Sequence, residues 1–200
     1  MIRLGITGGI GAGKSYVARL LEARYGVPVY DCDREARRLM VSDDALRTSI
    51  SALVGPDAYA PDGSLCRPVV ARFLFGSREH VRQLNALVHP AVRIDAEAWF
   101  QSQARKSHPP RLAAIESAIL LEAGFQDIVE QLLVVTAPEP LRIQRACARD
   151  HVDEEQVRAR IAAQLSDEER LRHATLVIHN DGTDLESQLQ AMMDKLGSVT

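Results

Sequence analysis

The chain has 200 residues, 46% of them Ala, Val, Ile, Leu, Met, Phe, Trp, Tyr or Cys, which is a normal share for one globular α/β domain. Its 24 Lys and Arg against 27 Asp and Glu leave a net charge of −3, which excludes a global basic field for nucleic acid or an anionic membrane. The three cysteines lack metal-ligand spacing, and the sequence has no signal segment or apolar stretch of about 18 residues, so it predicts a reduced, cytoplasmic protein and leaves protein partners open.

The first motif is a glycine-rich segment between an apolar run, Ile2 to Thr7, and an amphipathic run, Ser15 to Arg24. It reads G-G-I-G-A-G-K-S and fits the pattern G-x-x-x-x-G-K-[ST]. Because strand, loop and helix stand in the required order, we interpret it as a cradle for nucleotide phosphates rather than a glycine-rich turn that happens to precede Lys-Ser. Lys14 is expected to reach the β- and γ-phosphates and Ser15 to bind Mg²⁺. The predicted nucleotide-binding residues of this segment are Gly9, Gly11, Ala12, Gly13, Lys14, Ser15 and Tyr16.

A short second strand, Val27 to Tyr30, leads into Asp31-Cys32-Asp33, and the end of a strand is where open α/β sheets bind ligands. Alternate residues of an extended segment point the same way, so Asp31 and Asp33 can share a face, one toward metal-bound water and the other toward a reacting hydroxyl. Asp33 also stands directly before the helical pattern Arg34 to Met40, and spacing alone favours a helix-capping role for it.

Residues 43–110 break the alternation of strands and helices, and we predict that they form an α-helical insert that binds a second substrate. The pair His89-Pro90 is expected to interrupt one helix of the insert, and Trp99-Phe100 to end the next. Arg67 and His89 are the polar candidates for substrate binding. A solvated surface charge for Arg67 and a helix-end hydrogen bond for His89 remain as alternatives.

The run Leu112 to Ile115 predicts a buried strand ending in Glu116, and Glu122 follows shortly after it. A carboxylate at a strand end fits the second half of a Mg²⁺ site, usually through water, so both acids are candidates to act with Ser15. Leu132 to Val135 is predicted as the fourth strand.

The next helix contains Arg142, Arg145 and Arg149, and their spacing places three guanidinium groups on one stripe. Movable planar cations over a γ-phosphate suit phosphoryl transfer, so residues 139–165 are interpreted as a lid. The alternative is a solvent-facing helix whose arginines pair with nearby acidic residues.

Leu176 to His179 is predicted as the fifth strand, and the turn Asn180-Asp181-Gly182 after it is expected to lie near the nucleotide base. The final helix is expected to be capped by Thr183, with Glu186 at capping-box spacing.

Taken together, these motifs resemble the dephospho-CoA kinase family from end to end. The matching segments occur in the order of the family: Thr7-Gly8-Gly9-Ile10-Gly11-Ala12-Gly13-Lys14-Ser15, Asp31-Cys32-Asp33, Asp62-Gly63 with Arg67, Leu84-Asn85-Ala86-Leu87-Val88-His89-Pro90, Leu120-Leu121-Glu122, Gln164 and Asn180-Asp181-Gly182. The resemblance implies phosphorylation of the ribose 3′-hydroxyl of dephospho-CoA by ATP with Mg²⁺, the last step of coenzyme A biosynthesis. It also implies a single P-loop NTPase-type domain, residues 1–200, with three layers, a five-stranded parallel sheet, a dephospho-CoA-binding insert and a lid.

The resemblance assigns roles to individual residues. Asp33 matches the acid regarded as the base that accepts the proton of the 3′-hydroxyl, which overrides the capping preference from spacing. Arg67 and His89 match positions that bind the acceptor. Arg145 and Arg149 match lid arginines that are expected to act in catalysis together with the lysine of the glycine-rich segment.

The chain departs from the family pattern at two places. Ala118-Ile119 stands where the family usually has Pro before Leu-Leu-x-Glu, and Thr175 stands where it usually has Asp. A rival interpretation is another small P-loop kinase acting on a nucleoside, a nucleotide or a small hydroxyl acceptor. A guanine-nucleotide switch is disfavoured because lysine occurs only at positions 14, 106 and 195, and none of these forms Asn-Lys-x-Asp.

Overall fold

The computed structural model describes residues 1–197. Five strands form one sheet in the order β2-β3-β1-β4-β5. Their bounds are β1 Ile2–Thr7, β2 Val29–Asp31, β3 Leu112–Glu116, β4 Gln131–Thr136 and β5 Leu176–His179. β1 pairs in parallel with both β3 and β4, and β4 pairs in parallel with β5. The α/β fold with a five-stranded parallel sheet, predicted from the sequence, is confirmed.

The helices are α1 Lys14–Tyr25, α2 Cys32–Ser42, α3 Asp44–Val54, α4 Arg67–Gly76, α5 Arg78–Ala104, α6 Glu139–Asp150, α7 Glu154–Ala162, α8 Asp167–His173 and α9 Leu185–Gly197, with short 3-10 turns at Pro56–Ala58 and Phe125–Ile128. Among the residues that the structure describes, no helix combines the length and the apolar character needed to cross a membrane. The chain divides into two compact units, one made of residues 1–30 and the chain from residue 100 onward, the other of residues 31–99.

In the first unit, the alternation of β1 places its side chains on opposite faces of the sheet. Leu4 and Ile6 are fully buried against a cluster to which α1 contributes Val17 and α9 contributes Leu189. Gly5, between them, faces the other way, where an added Cβ would lie 3.0 Å from Leu120. The sheet is therefore covered on both faces, as expected for parallel strands, and forms the middle of three layers.

The second unit is helical. Its buried side chains come from successive helices, with Leu39 from α2, Ile50 from α3, Val70 from α4 and Leu84 from α5. Apolar residues at helical spacing bury one face of each helix, which stabilises the unit through removal of that face from water. The predicted substrate-binding insert, residues 43–110, has residues 43–99 in this unit.

The expectation that His89-Pro90 interrupts a helix was wrong. α5 continues through Pro90 to Ala104, so the expected helix end at Trp99-Phe100 was wrong as well. A proline inside a helix removes one hydrogen bond and costs about 3 kcal/mol. Val88, Val92, Ala96 and Phe100 are buried at four-residue spacing along this helix, and each large apolar side chain gains about 1.5–3 kcal/mol on burial. Burial on both sides of the proline outweighs the lost bond.

The caps of two helices also differ from expectation. Asp31, and not Asp33, caps α2, because its Oδ1 accepts a hydrogen bond of 3.0 Å from the backbone N–H of Arg34. Asp184, and not Thr183, caps α9, through the N–H of Ser187 at 3.1 Å. In both cases the capping carboxylate belongs to the residue just before the helix and accepts from the backbone N–H three residues later, as N-cap geometry requires.

This assignment of the α2 cap is testable by stability. Asp31→Ala should lower the free energy of unfolding by about 1 kcal/mol, because it leaves a first-turn N–H without its acceptor. Asp33→Ala removes only a favourable charge from the first turn and should lower it by about 0.5 kcal/mol or less. Urea unfolding followed by circular dichroism measures both values. A larger loss for Asp33→Ala would return the cap to Asp33.

Candidate active site

The glycine-rich loop, residues 8–15, joins the carboxyl end of β1 to the start of α1. Gly13 is the N-cap of α1, with φ of 93°, and no side chain caps the first turn. An uncapped helix start presents N–H groups and the positive end of the helix dipole to any anion placed before it. The loop therefore has the geometry of an anion-binding site.

Three side chains meet beside this loop. Glu116 ends β3, which pairs with β1 in a register that places Glu116 opposite Ile6. Its Oε1 accepts a hydrogen bond of 3.1 Å from the Ser15 hydroxyl and lies 3.7 Å from the Lys14 Nζ. Glu116 is only 7% exposed, so its charge is held where a cation and a hydroxyl compensate for lost solvation.

Glu122, the other acidic candidate, lies in a different environment. Its Oε1 accepts a hydrogen bond of 3.2 Å from the backbone N–H of Leu165 and is 3.6 Å from Arg170 Nη2. Of the two acids, Glu116 is the one that contacts Ser15.

The donor set beside the loop fits a magnesium ion. Mg²⁺ keeps several waters and takes one or two protein oxygens together with phosphate oxygens, and a hydroxyl next to a buried carboxylate supplies such oxygens. Among residues 1–197, no three His, Cys, Asp or Glu side chains come together as a complete protein cage would require. The residues present therefore suit a metal that arrives with a phosphate ligand.

A pocket of about 330 Å³ opens in front of the loop. Its lining comprises Gly11, Gly13, Lys14 and Ser15 of the loop, Tyr16 and Arg19 of α1, and Arg145 and Arg149 of α6. The lining contains four cationic side chains, a composition suited to a polyanion such as a nucleotide triphosphate.

Asn180 joins this site after β5. Its Nδ2 donates a hydrogen bond of 2.9 Å to the carbonyl oxygen of Ala12, and its backbone carbonyl oxygen accepts one of 2.9 Å from Arg145 Nη1. A Cβ at Gly13 would lie 2.1 Å from Asn180 Nδ2, so only glycine fits there. The turn after β5 therefore contacts the glycine-rich loop. The sequence analysis predicted that this turn lies near the nucleotide base.

The three arginines of α6 do not share one environment. Arg149 is exposed and donates to both carboxylate oxygens of Asp150, which raises the pKa of the guanidinium. Arg142 is only 3% exposed and contacts the carbonyl oxygen of Ile10 and the carboxylate of Asp167. The expectation that all three line one stripe above the phosphates was therefore wrong for Arg142, because burial and an ion pair hold it away from solvent.

The second unit contains the remaining candidates. Asp33 is exposed in the first turn of α2, and Arg67 is exposed at the start of α4; neither forms an ion pair or side-chain hydrogen bond within the described residues. His89 is half-buried in α5, and burial lowers its pKa below the ordinary value of 6.5, so the ring is neutral at pH 7.

Sequence reasoning missed one contact of the glycine-rich loop and one contact at the start of β4. Gln164 was noticed only as part of a family pattern, and it accepts a hydrogen bond of 2.9 Å from the N–H of Ile10. Thr175 departs from the family pattern, and its hydroxyl oxygen accepts a hydrogen bond of 2.8 Å from the backbone N–H of Leu132. No local spacing rule predicts either contact, since both join segments far apart in the chain.

Comparison with known proteins agrees with this geometry. The family described as Dephospho-CoA kinase matches residues 2–186. A dephospho-CoA kinase of Bacteroides fragilis (strain YCH46) is 43% identical over 183 residues, covering 90% of this chain and 85% of that protein. The crystal structure of TT1252 from Thermus thermophilus is 36% identical with a TM-score of 0.78, covering 100% of this chain and 98% of that one. The structure of a dephospho-CoA kinase from Campylobacter jejuni, 20% identical, has a TM-score of 0.71 and shares the fold over 97% of this chain and 96% of its own.

The family match and the similar sequences extend over most of the chain, and the matched range, residues 2–186, includes the loop and the carboxylate that bonds it. The chain therefore belongs to the dephospho-CoA kinase family, and its activity is the ATP-dependent phosphorylation of dephospho-CoA in coenzyme A biosynthesis.

Proposed function

We propose that the pocket in front of the glycine-rich loop binds ATP with Mg²⁺ and that the chain transfers the γ-phosphoryl group to the 3′-hydroxyl of the ribose of dephospho-CoA, giving coenzyme A and ADP. The observation that supports this most directly is the meeting of Lys14, Ser15 and Glu116 beside an uncapped helix start. That combination supplies a cation for phosphate oxygens and oxygen ligands for a metal in one place.

The loop and Lys14 bind the donor. The N–H groups at the start of α1 point toward the phosphates, with Gly9, Gly11, Ala12 and Gly13 forming the turn and Ser15 and Tyr16 the first helical positions after Lys14. The transition state of phosphoryl transfer is loose and spreads negative charge over the transferred oxygens, so the lysine stabilises it by charge.

Ser15 and Glu116 would hold the metal, the hydroxyl directly and the carboxylate through water. Magnesium supplies neutralisation of charge on the β- and γ-phosphate oxygens when it is bound. Glu116 orients the hydroxyl, because its Oε1 accepts a hydrogen bond of 3.1 Å from the Ser15 hydroxyl.

The lid, residues 139–165, supplies the remaining positive charge through Arg145 and Arg149, which line the pocket. Planar guanidinium groups bind phosphate oxygens at two points, which suits them to this task better than lysine. Arg145 is oriented by its bond to the backbone carbonyl of Asn180. In this proposal the turn at Asn180 borders the nucleotide base. A lid that covers the phosphates excludes water and so favours transfer to a sugar hydroxyl over hydrolysis.

The helical insert, residues 43–110, binds dephospho-CoA in this proposal. Asp33 accepts the proton of the 3′-hydroxyl, and the cap assignment supports this role, since Asp31 bonds the helix start and leaves the Asp33 carboxylate exposed. Arg67 is an exposed cation without an ion pair in the described residues, which is the chemistry needed for the diphosphate of the acceptor. His89, whose pKa is lowered by burial, binds the acceptor in this proposal as a neutral hydrogen-bonding group.

The acceptor can be identified by ADP release in a coupled assay with dephospho-CoA, adenosine, nucleoside monophosphates and shikimate. We expect kcat/KM for dephospho-CoA to exceed that for the other acceptors by at least about a hundredfold, because polar groups of the insert stay unpaired with smaller acceptors. Phosphorus NMR of the product should show phosphate on the 3′-oxygen. A Lys14→Ala enzyme purified in parallel controls for contaminating kinases. Equal or better turnover of another acceptor would contradict the proposal.

The role of Asp33 can be isolated with Asp33→Asn, which keeps the size of the side chain. Because an amide cannot take the hydroxyl proton, kcat should fall on the order of a hundredfold, while the dissociation constants of ATP and dephospho-CoA, measured by calorimetry, stay within about threefold.

Asp44→Asn is the matched control, since Asp44 is an exposed acid in the first turn of the next helix, α3. It should leave kcat unchanged. A folded Asp33→Asn enzyme with the parental kcat would remove Asp33 from the catalytic residues.

A further inference from the structure

Ile10 lies at the tip of the glycine-rich loop, and both its backbone N–H and its backbone carbonyl are hydrogen-bonded to side chains. Its N–H donates to Gln164 Oε1 at 2.9 Å, and its carbonyl oxygen accepts from Arg142 Nε at 3.0 Å. Its side chain packs against a small cluster formed by Ile143 of α6 and Val157 of α7. The tip of the loop is therefore fixed to the α6–α7 region by two directed bonds and an apolar contact.

Arg142 belongs to a network of ion pairs in which the arginines are buried and the carboxylates are partly exposed. Its Nη1 pairs with the carboxylate of Asp167, which also bonds Arg170 Nη1 at 3.1 Å. Arg170 is only 1% exposed and lies 3.6 Å from Glu122 Oε1. The two guanidinium groups are buried, while the side chains of Asp167 and Glu122 are 36% and 26% exposed. Burying the charged groups costs solvation energy, and their ion pairs recover only part of it. The network is therefore poorly explained by stability alone.

The loop is shaped to fit Arg142 closely. A Cβ at Gly9 would lie 2.2 Å from Arg142 Nη2, and one at Gly11 would lie 2.1 Å from the carbonyl oxygen of Arg142. Gly11 also has a φ of 75°, in the region that favours glycine. At Gly11 the backbone of α6 requires glycine, and at Gly9 a larger residue would displace the Arg142 guanidinium from the loop.

We propose that Arg142 and Gln164 are positioning residues for the donor nucleotide: they hold the peptide groups of Ile10 and so keep the N–H groups that follow it aimed at the phosphates. They also keep the loop in register with Arg145, which lies one helical turn after Arg142 on α6. Both residues act through Ile10 and neither lines the nucleotide pocket. The proposal rests on the loop binding ATP, as proposed above.

The test compares ATP binding in variants of the two residues. Arg142→Met and Gln164→Leu each remove one bond to Ile10, and each should raise the KM for ATP and the Kd for ATP on the order of tenfold. The KM for dephospho-CoA should stay within about twofold of the parent, because Arg67 and His89, proposed to bind the acceptor, belong to the other unit. Thermal melts report whether each variant is folded, and Gln164→Leu provides the test if Arg142→Met does not fold.

Arg142→Lys separates positioning from structural support. Lysine keeps an ion pair with Asp167 but has no planar fork that donates to Asp167 and Ile10 together. We expect the melting temperature of Arg142→Lys to lie closer to that of the parent than that of Arg142→Met does, while its KM for ATP stays raised. Recovery of both would show that the charge pair alone matters and would overturn the proposal.

Arg172→Met is the matched control, since Arg172 is an exposed arginine of α8 that pairs with Glu168. It should change neither KM. Parental ATP binding in folded Gln164→Leu and in folded Arg142→Met contradicts the positioning role. Failure of the parent enzyme to phosphorylate dephospho-CoA contradicts the proposed function instead, and calorimetry with ATP alone still tests the positioning role in that case.

Discussion

The structure depends on a buried carboxylate placed between a cation and a hydroxyl at the carboxyl edge of the sheet. Glu116 is 7% exposed and bonds Ser15 while lying 3.7 Å from Lys14 Nζ. The parallel register of β3 with β1 brings it there, since Glu116 pairs with Ile6 and the loop begins two residues later. A parallel sheet thus converts two distant segments into one charged site, and the helix start that follows supplies N–H groups at the same place.

Glycines of the loop allow close approach on two sides, to the phosphates and to other parts of the protein. The sequence predicts that they let the backbone approach phosphates. The structure shows that other protein atoms also lie very close to the loop. A Cβ at Gly8 would lie 2.3 Å from the carbonyl oxygen of Val135, and one at Gly13 would meet Asn180. The loop therefore lies between the core of the protein and the pocket, which leaves it little room to change conformation when a nucleotide binds.

Local patterns predicted those features that depend on local chemistry. The five strands, and the order of strand, loop and helix around the glycine-rich segment, follow from spacing within a few residues. Features that depend on contacts between distant segments were not predictable in this way. α5 continues through Pro90 because apolar side chains are buried both before and after the proline along one face of the helix. Arg142 is inaccessible because Asp167 and Ile10 contact its guanidinium. The cap of α2 was misassigned by two residues because Asp31 and Asp33 have the same side chain and only backbone geometry distinguishes them.

The central claim is that Glu116, held against Ser15, completes the metal site of the ATP complex. Electron paramagnetic resonance of Mn²⁺ in the presence of ATP measures this without depending on turnover. Glu116→Gln should weaken Mn²⁺ binding to the enzyme–ATP complex on the order of tenfold, as expected for loss of an outer carboxylate. Glu122→Gln, which changes the acid bonded to Leu165, should bind Mn²⁺ like the parent. Equal Mn²⁺ affinity in a folded Glu116→Gln enzyme and the parent would contradict the claim.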